Sequence, residues 1–309
     1  MKPLFICLGT VLWLGLAAAT NPARGVEPRL RVVTLSTVLT EIAREVGGDE
    51  VAVTGLLQPG VDPHSFEPSP ADMRAVVAAE IVFASGLNLE SYLDRLVANA
   101  RSGAIVVPVG DALPHPLAMT APVDRGASGS AGSTASRELD PHWWHSIANV
   151  RVAAGLVRDR YKEMRPERAD AFDRNTRAYL AKLAALQDWV TGEIAKLPPA
   201  RRQLVTSHDA FGYFARDYGF TIHAIGGLST DGEPDARHLA ALIDLIRHEH
   251  IPAVFAEGSA NPRLVANLVR ETGVRLGGTL YADGLGLGAA GTYEGMYRHN
   301  VTTIVEALQ

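Results

Sequence analysis

Two runs of alternating strand and helix signals, split by one long helical pattern, restrict what this chain can fold into. In the first run, Val32, Val33 and Thr34 form a β-branched stretch. The spacing turns helical at Leu39, Ile42, Ala43 and Val46 and stops at Gly47 and Gly48. VAVTG (51–55), IVFASG (81–86) and AIVVPVG (104–110) read as further strands. Helical segments lie between them, one opened by Ser69 as N-cap and Pro70 at the first helical position. A second series begins at QLVTS (203–207) and continues through FTIHA, a helix, IPAVFAE, a helix and the strand from Val274. Strands separated by helices imply parallel sheets. Between the series, residues 167–197 place Phe172, Tyr179, Leu180, Leu183, Leu186, Val190 and Ile194 on one helical face, and Pro198-Pro199 ends it. The expected fold is therefore α/β: two similar lobes with parallel-rich sheets joined by one long rigid helix, with lobes at 26–165 and 198–309 and the linking helix at 166–197.

Residues 1–25 read as a secretory signal, with Lys2, an apolar run from Leu4 to Ala18, and small residues at Ala17 to Ala19. The single cysteine, Cys7, falls inside that run and is badly placed for lipid attachment. The rest of the chain then has no thiolate, so a metal site must use His, Asp or Glu. A net charge of −5 gives no basic footprint, which argues against nucleic acid as a partner. Residues 115–138 are small, polar and aperiodic and read as a surface loop.

The chemistry-bearing residues sort by position. His64 follows the second strand, His142 follows the polar loop, His208 follows QLVTS, and Asp283 follows the strand from Val274. All four lie at strand exits or helix starts, where open α/β sheets bind ligands. Each also has a plainer reading: a surface loop histidine for His64, aromatic packing for His142, helix capping for His208, and an Asp-Gly turn for Asp283. Facing lobes would bring three imidazoles and a carboxylate together, a set suited to Zn²⁺. Mn²⁺ would favour more oxygen ligands. Asp209 and Glu257 are candidates to orient an imidazole, with Asp62 and Glu67 behind them. His248 and His250 do not form an HExxH motif; they, His238 and His299 read as surface, and His223 as a satisfied core histidine in a strand.

The segments VDPHSFEPSPADM, DPHWWHSIANV, SHDAFGYFARDYGF, GEPDARHLAALIDLIRHEHIPAVFAE and YADGLG, in this order, resemble the zinc and manganese solute-binding proteins of ABC importers, the cluster A-I or ZnuA/TroA-like family. The resemblance spans nearly the whole chain after residue 25. It implies metal ligands at His64, His142, His208 and Asp283, and an ABC permease as partner. Manganese members usually carry glutamate where this chain has His208, so the resemblance favours zinc. Zinc members often carry a His-rich loop before the second ligand motif; here the loop holds only His115, a departure that resembles the AztC type. His145 stands where the family is usually apolar, which sets it aside as a ligand and leaves it as a donor beside the site or a transient ligand. Trp143 and Trp144 are expected to wall the cleft or pack the helix.

The expected function is a periplasmic binding protein that hands Zn²⁺ to the permease, acting as a monomer and taking zinc from a periplasmic chaperone. A manganese or iron binder of the same fold is the alternative. A zinc hydrolase would need three ligands, an open position and a base, for which Glu67 and Glu257 are the candidates; an adhesin is a further reading. Asp283, ahead of the Gly-rich DGLGLGAAG, is the expected mover on release.

Overall fold

The computed structural model describes residues 28–100, 103–118, 138–230, 236–258 and 262–309. The expected export signal at 1–25 and most of the 115–138 loop lie outside the described residues.

The first lobe runs β1 (Leu30–Thr34), α1 (Thr37–Gly47), β2 (Val51–Gly55), α2 (Pro70–Ala78), β3 (Ile81–Ala84), α3 (Leu93–Ala100) and β4 (Ile105–Pro108). The second runs β5 (Gln203–Thr206), α6 (Gly212–Tyr218), β6 (Thr221–Ala224), α7 (Ala236–Glu249), β7 (Ala253–Glu257), α8 (Pro262–Thr272), β8 (Arg275–Leu280) and α9 (Tyr293–Leu308). Their sheets are parallel, with orders β2-β1-β3-β4 and β6-β5-β7-β8, so the lobes repeat one topology. In both, the first strand is interior and the chain reverses its winding direction beside it, which opens a crevice at the strand exits.

Local sequence explains the elements. Ser36 accepts the Leu39 N–H and caps α1. Ser69 and Asp72 form a reciprocal capping box with Pro70 at N1 of α2. The first lobe closes with α4 (Ile147–Met164), which is capped by Ser146 and stopped before Pro166. The next helix, α5 (Ala169–Ile194), has 26 residues and at 1.5 Å per residue is about 39 Å long. It buries Phe172, Thr176, Tyr179, Leu183, Leu186, Val190 and Ile194, while Leu180 is only half-buried.

That buried face packs on α1 and α4 of the first lobe and on α9 of the second. One apolar core therefore runs from Leu30 and Val32, through Leu183 and Leu186, to Val301 and Ile304. Strand alternation splits each sheet between two cores. Ile81 and Phe83 face the shared core, while Val82 and Ala84 face an outer one beneath α2 and α3. Ala253 and Phe255 face the shared core, while Val205 and Val254 join the outer one beneath α7 and α8. The lobes are thus fused along a common hydrophobic seam, which restricts how far they can separate. No helix among the described residues is long and apolar enough to cross a membrane.

Candidate metal centre

The four sequence candidates meet in the crevice between the lobes. Two arrive through the same local device, an Asp-Pro-His sequence. Asp62 Oδ1 accepts the backbone N–H of His64 at 2.8 Å, and Asp140 Oδ1 accepts that of His142 at 2.9 Å. Each aspartate folds the chain back two residues on and turns the next imidazole inward. His208 follows β5 after Ser207, and Asp283 follows β8, with Tyr281 and Ala282 between it and the last strand residue, Leu280.

One donor atom from each of the four lies within 4.8 Å of the others. Nε2 of His64 and Nε2 of His142 are 3.2 Å apart, and Nε2 of His208 is 3.2 Å from Asp283 Oδ1. Asp283 Oδ1 is 3.5 Å from each of the other two Nε2 atoms. A tetrahedral site with bonds of roughly 2.0–2.1 Å has donor–donor edges of about 3.3 Å. These four distances match that edge, and the donor distances from His208 to the other two rings are no longer than 4.8 Å. His64 is its most exposed side chain at 8%, against 0%, 2% and 4% for His142, His208 and Asp283.

Carboxylates behind the rings decide which nitrogen faces inward. Nδ1–H of His142 donates to Asp140 Oδ1 at 2.8 Å. Nδ1–H of His208 donates to Glu257 Oε2, whose other oxygen accepts the Ser207 N–H at 3.0 Å. With Nδ1 committed, Nε2 of each ring points into the cluster and offers its lone pair to an ion once its proton has left. Charge couples the groups tightly. Burial opposes the Asp283 charge, but His208 beside it and hydrogen bonds from the histidines hold its carboxyl well below the usual range. Burial likewise disfavours a charged His208, yet Glu257 and Asp283 raise it well above an ordinary imidazole. His142 is raised in the same way by Asp140 and Asp283 against its burial. The raised histidines and the lowered carboxyl show that the site favours positive charge beside its buried carboxylates.

Of the candidate orienting residues, Glu257 holds a ring. Asp62 holds the His64 backbone, and its second oxygen accepts the Thr230 hydroxyl from the other lobe. Asp209 departs from expectation: the His208 ring is taken by Glu257, while the Asp209 N–H bonds Gly227 O at 2.9 Å. Glu67 lies exposed in its loop. Asp140 is the orienting residue that sequence reasoning did not single out; its position two residues before His142, as Asp62 stands before His64, was the available signal.

His145 is buried, stacks on Phe211 at 4.4 Å between centroids and puts Nε2 on Ala282 O at 2.8 Å. Burial pushes its pKa down to about 4, so it is a neutral donor. Trp143 donates to Ser85 O and Trp144 to Ala282 O. The remaining histidines are occupied elsewhere. His223 bonds Gln203, His238 bonds Ala224 O, His299 bonds Thr279 O, and His248 pairs with the adjacent Glu249. His115 and His250 are exposed. The Asp283 segment is not the free Gly-rich tether expected: Gly286 N–H bonds Ala290 O, and Leu285 N–H bonds Thr37 Oγ1 in the opposite lobe.

Comparison with known proteins places the chain in a family. Residues 32–307 match the family model "ZnuA: Zinc-uptake complex component A periplasmic". The chain is 35% identical over 296 residues to the manganese-binding lipoprotein MntA of Bacillus subtilis, covering 94% of this chain and 93% of that protein. It is 31% identical over 284 residues to the zinc-binding protein TroA of Treponema pallidum, covering 90% and 88%. The solved structure of the periplasmic zinc-binding protein TroA superposes with a TM-score of 0.81 at 30% identity, covering 91% of this chain and 99% of that one. The chain belongs to the ZnuA/TroA family of metal-binding solute-binding proteins, and it is a binding protein rather than an enzyme.

Proposed function

We propose that this chain, exported to the periplasm, captures one Zn²⁺ on His64, His142, His208 and Asp283 and delivers it to an ABC permease. The observation that carries this reading is the inward convergence of three Nε2 atoms and one carboxylate oxygen at tetrahedral spacing. Four protein donors complete a zinc shell, leaving no position for an activated water. Glu257, the base a hydrolase would need, is spent holding His208. Capture without chemistry fits that arrangement, and the zinc-binding relative TroA supports the choice of ion.

The manganese-binding relative MntA favours a second reading, in which the same site serves Mn²⁺. Affinity at a nitrogen-rich site rises from Mn²⁺ to Zn²⁺ regardless of which ion a cell transports. Binding constants alone therefore do not separate the two readings. The deciding experiment recovers the protein from the periplasm of cells supplied with both ions and measures its metal by mass spectrometry, beside a His208→Ala variant. One zinc per chain, lost in the variant, is expected. Manganese in the recovered protein would overturn the zinc reading, and unchanged metal content in the variant would overturn the ligand set.

A further inference from the structure

The turn that carries His142 also reaches the peptide that carries Asp283. Ala282 O, immediately before Asp283, accepts Trp144 Nε1–H at 2.9 Å and His145 Nε2–H at 2.8 Å. Both rings are about 1% exposed and belong to the first lobe, while Ala282 belongs to the second. Each lone pair of a buried carbonyl is thus met by a rigid ring from across the crevice. The turn makes two more bonds in the same direction. Trp144 O accepts the Tyr293 hydroxyl at 2.7 Å, and His145 O accepts the Tyr297 hydroxyl at 2.6 Å. His145 has little freedom to leave, because its buried ring packs on Phe211 with centroids 4.4 Å apart and planes 32° from parallel.

We propose that Trp144 and His145 are positioning residues for Asp283: by fixing the Ala282 carbonyl they hold the second lobe's carboxylate at the three histidines. The inference rests on the ligand set proposed above. A carbonyl oxygen cannot swing without turning the peptide plane, and that plane ends at the Asp283 Cα. Two donors at different angles therefore fix the peptide plane and with it the Cα from which the Asp283 side chain leaves the backbone. His142, three residues before His145, supplies a ring to the same cluster, so one short segment sets a donor from each lobe. An apolar side chain at position 145 would leave Ala282 O with the Trp144 bond alone. Asp283 would then sample positions beyond bonding distance, and the ion would leave faster.

The test is a double-mutant cycle on the full chain, with zinc affinity and zinc release rate measured by competition with a chromophoric chelator. His145→Leu removes the donor, His145→Gln restores one, and both are made with and without Asp283→Ala. His145→Leu is expected to speed release and weaken binding by about tenfold, the lower end of the effect of outer partners on metal sites. His145→Gln should recover most of that loss, and the His145→Leu effect should vanish when Asp283 is already alanine. A loss of equal size in both backgrounds, or no loss at all, overturns the inference, since a purely structural residue would act without Asp283. If Asp283→Ala itself leaves zinc binding unchanged, the ligand set has failed, and this inference with it. Should His145→Leu not fold, Trp144→Phe keeps an aromatic ring, removes the other donor and is read against the same criteria, above all whether its effect vanishes when Asp283 is alanine.

Discussion

The Nε2 atoms of His64 and His142 face each other at 3.2 Å, although 78 residues separate the two histidines in the chain. Each ring is aimed by an aspartate two residues before it, through the His64 backbone in one case and through both backbone and Nδ1 in the other. Bringing two inward-facing ring nitrogens this close, beside a third ring and a buried carboxylate, places donors where one cation can take all of them.

Replacing His64 or His142 by alanine is accordingly expected to cost roughly 100-fold or more in zinc affinity. The zinc-induced rise in melting temperature should shrink with it, because stabilisation follows the ratio of free ligand to Kd. Titration followed by thermal melts checks both. An alanine variant that still gains the full rise would remove that histidine from the site.

Asp283→Ala should weaken binding less than His142→Ala. A three-imidazole site that has lost its carboxylate can take water as the fourth ligand. Loss of His142 also leaves the buried Asp140 carboxylate without its ring partner. Competitive titration of the two variants side by side decides the order, and equal or reversed losses count against it.

Glu257→Gln should lower zinc affinity by about 10–100-fold without changing stoichiometry. The variant keeps the shape but loses the charge that raises His208 above an ordinary imidazole. Calorimetry should show one site of weaker affinity. Two sites, or an unchanged constant, would mean that Glu257 does not act through His208.

Stability should fall from pH 4.5 towards pH 8 in part through Glu41, which accepts the Tyr293 N–H across the lobes at 2.6 Å. Burial pushes its carboxyl from 4.5 up to about 7. A folded pKa above the unfolded one means that the native state holds the extra proton between those values. The cost of ionising Glu41 is then absent below about 4.5, grows through the window and is complete above about 7. Glu41→Gln should flatten this fall by on the order of 2 kcal/mol. Part of the slope should survive, because Glu90 is also pushed up to about 7 by burial. Denaturation curves of the metal-free protein at several pH values measure it, and parallel profiles for variant and parent would contradict it.

The amino-acid sequence by itself determined the order of elements and marked four candidate ligand positions. Hydrophobic period, proline stops and caps such as Ser69 act between residues a few positions apart, so β1 to β8 and the 26-residue α5 were legible, and His64, His142, His208 and Asp283 stood out at strand exits. Asp140 was legible in principle, since it acts over two residues. Only the tertiary structure decided that Glu257, 49 residues from His208, holds that ring while the adjacent Asp209 does not. It alone set His145 against Ala282, 137 residues away, and turned Gly286 and Leu285 into anchored positions. The reason is physical: a side chain's partner across the crevice depends on how the lobes are set against each other. That setting comes from the shared core packed along α5, which no local stretch of sequence encodes.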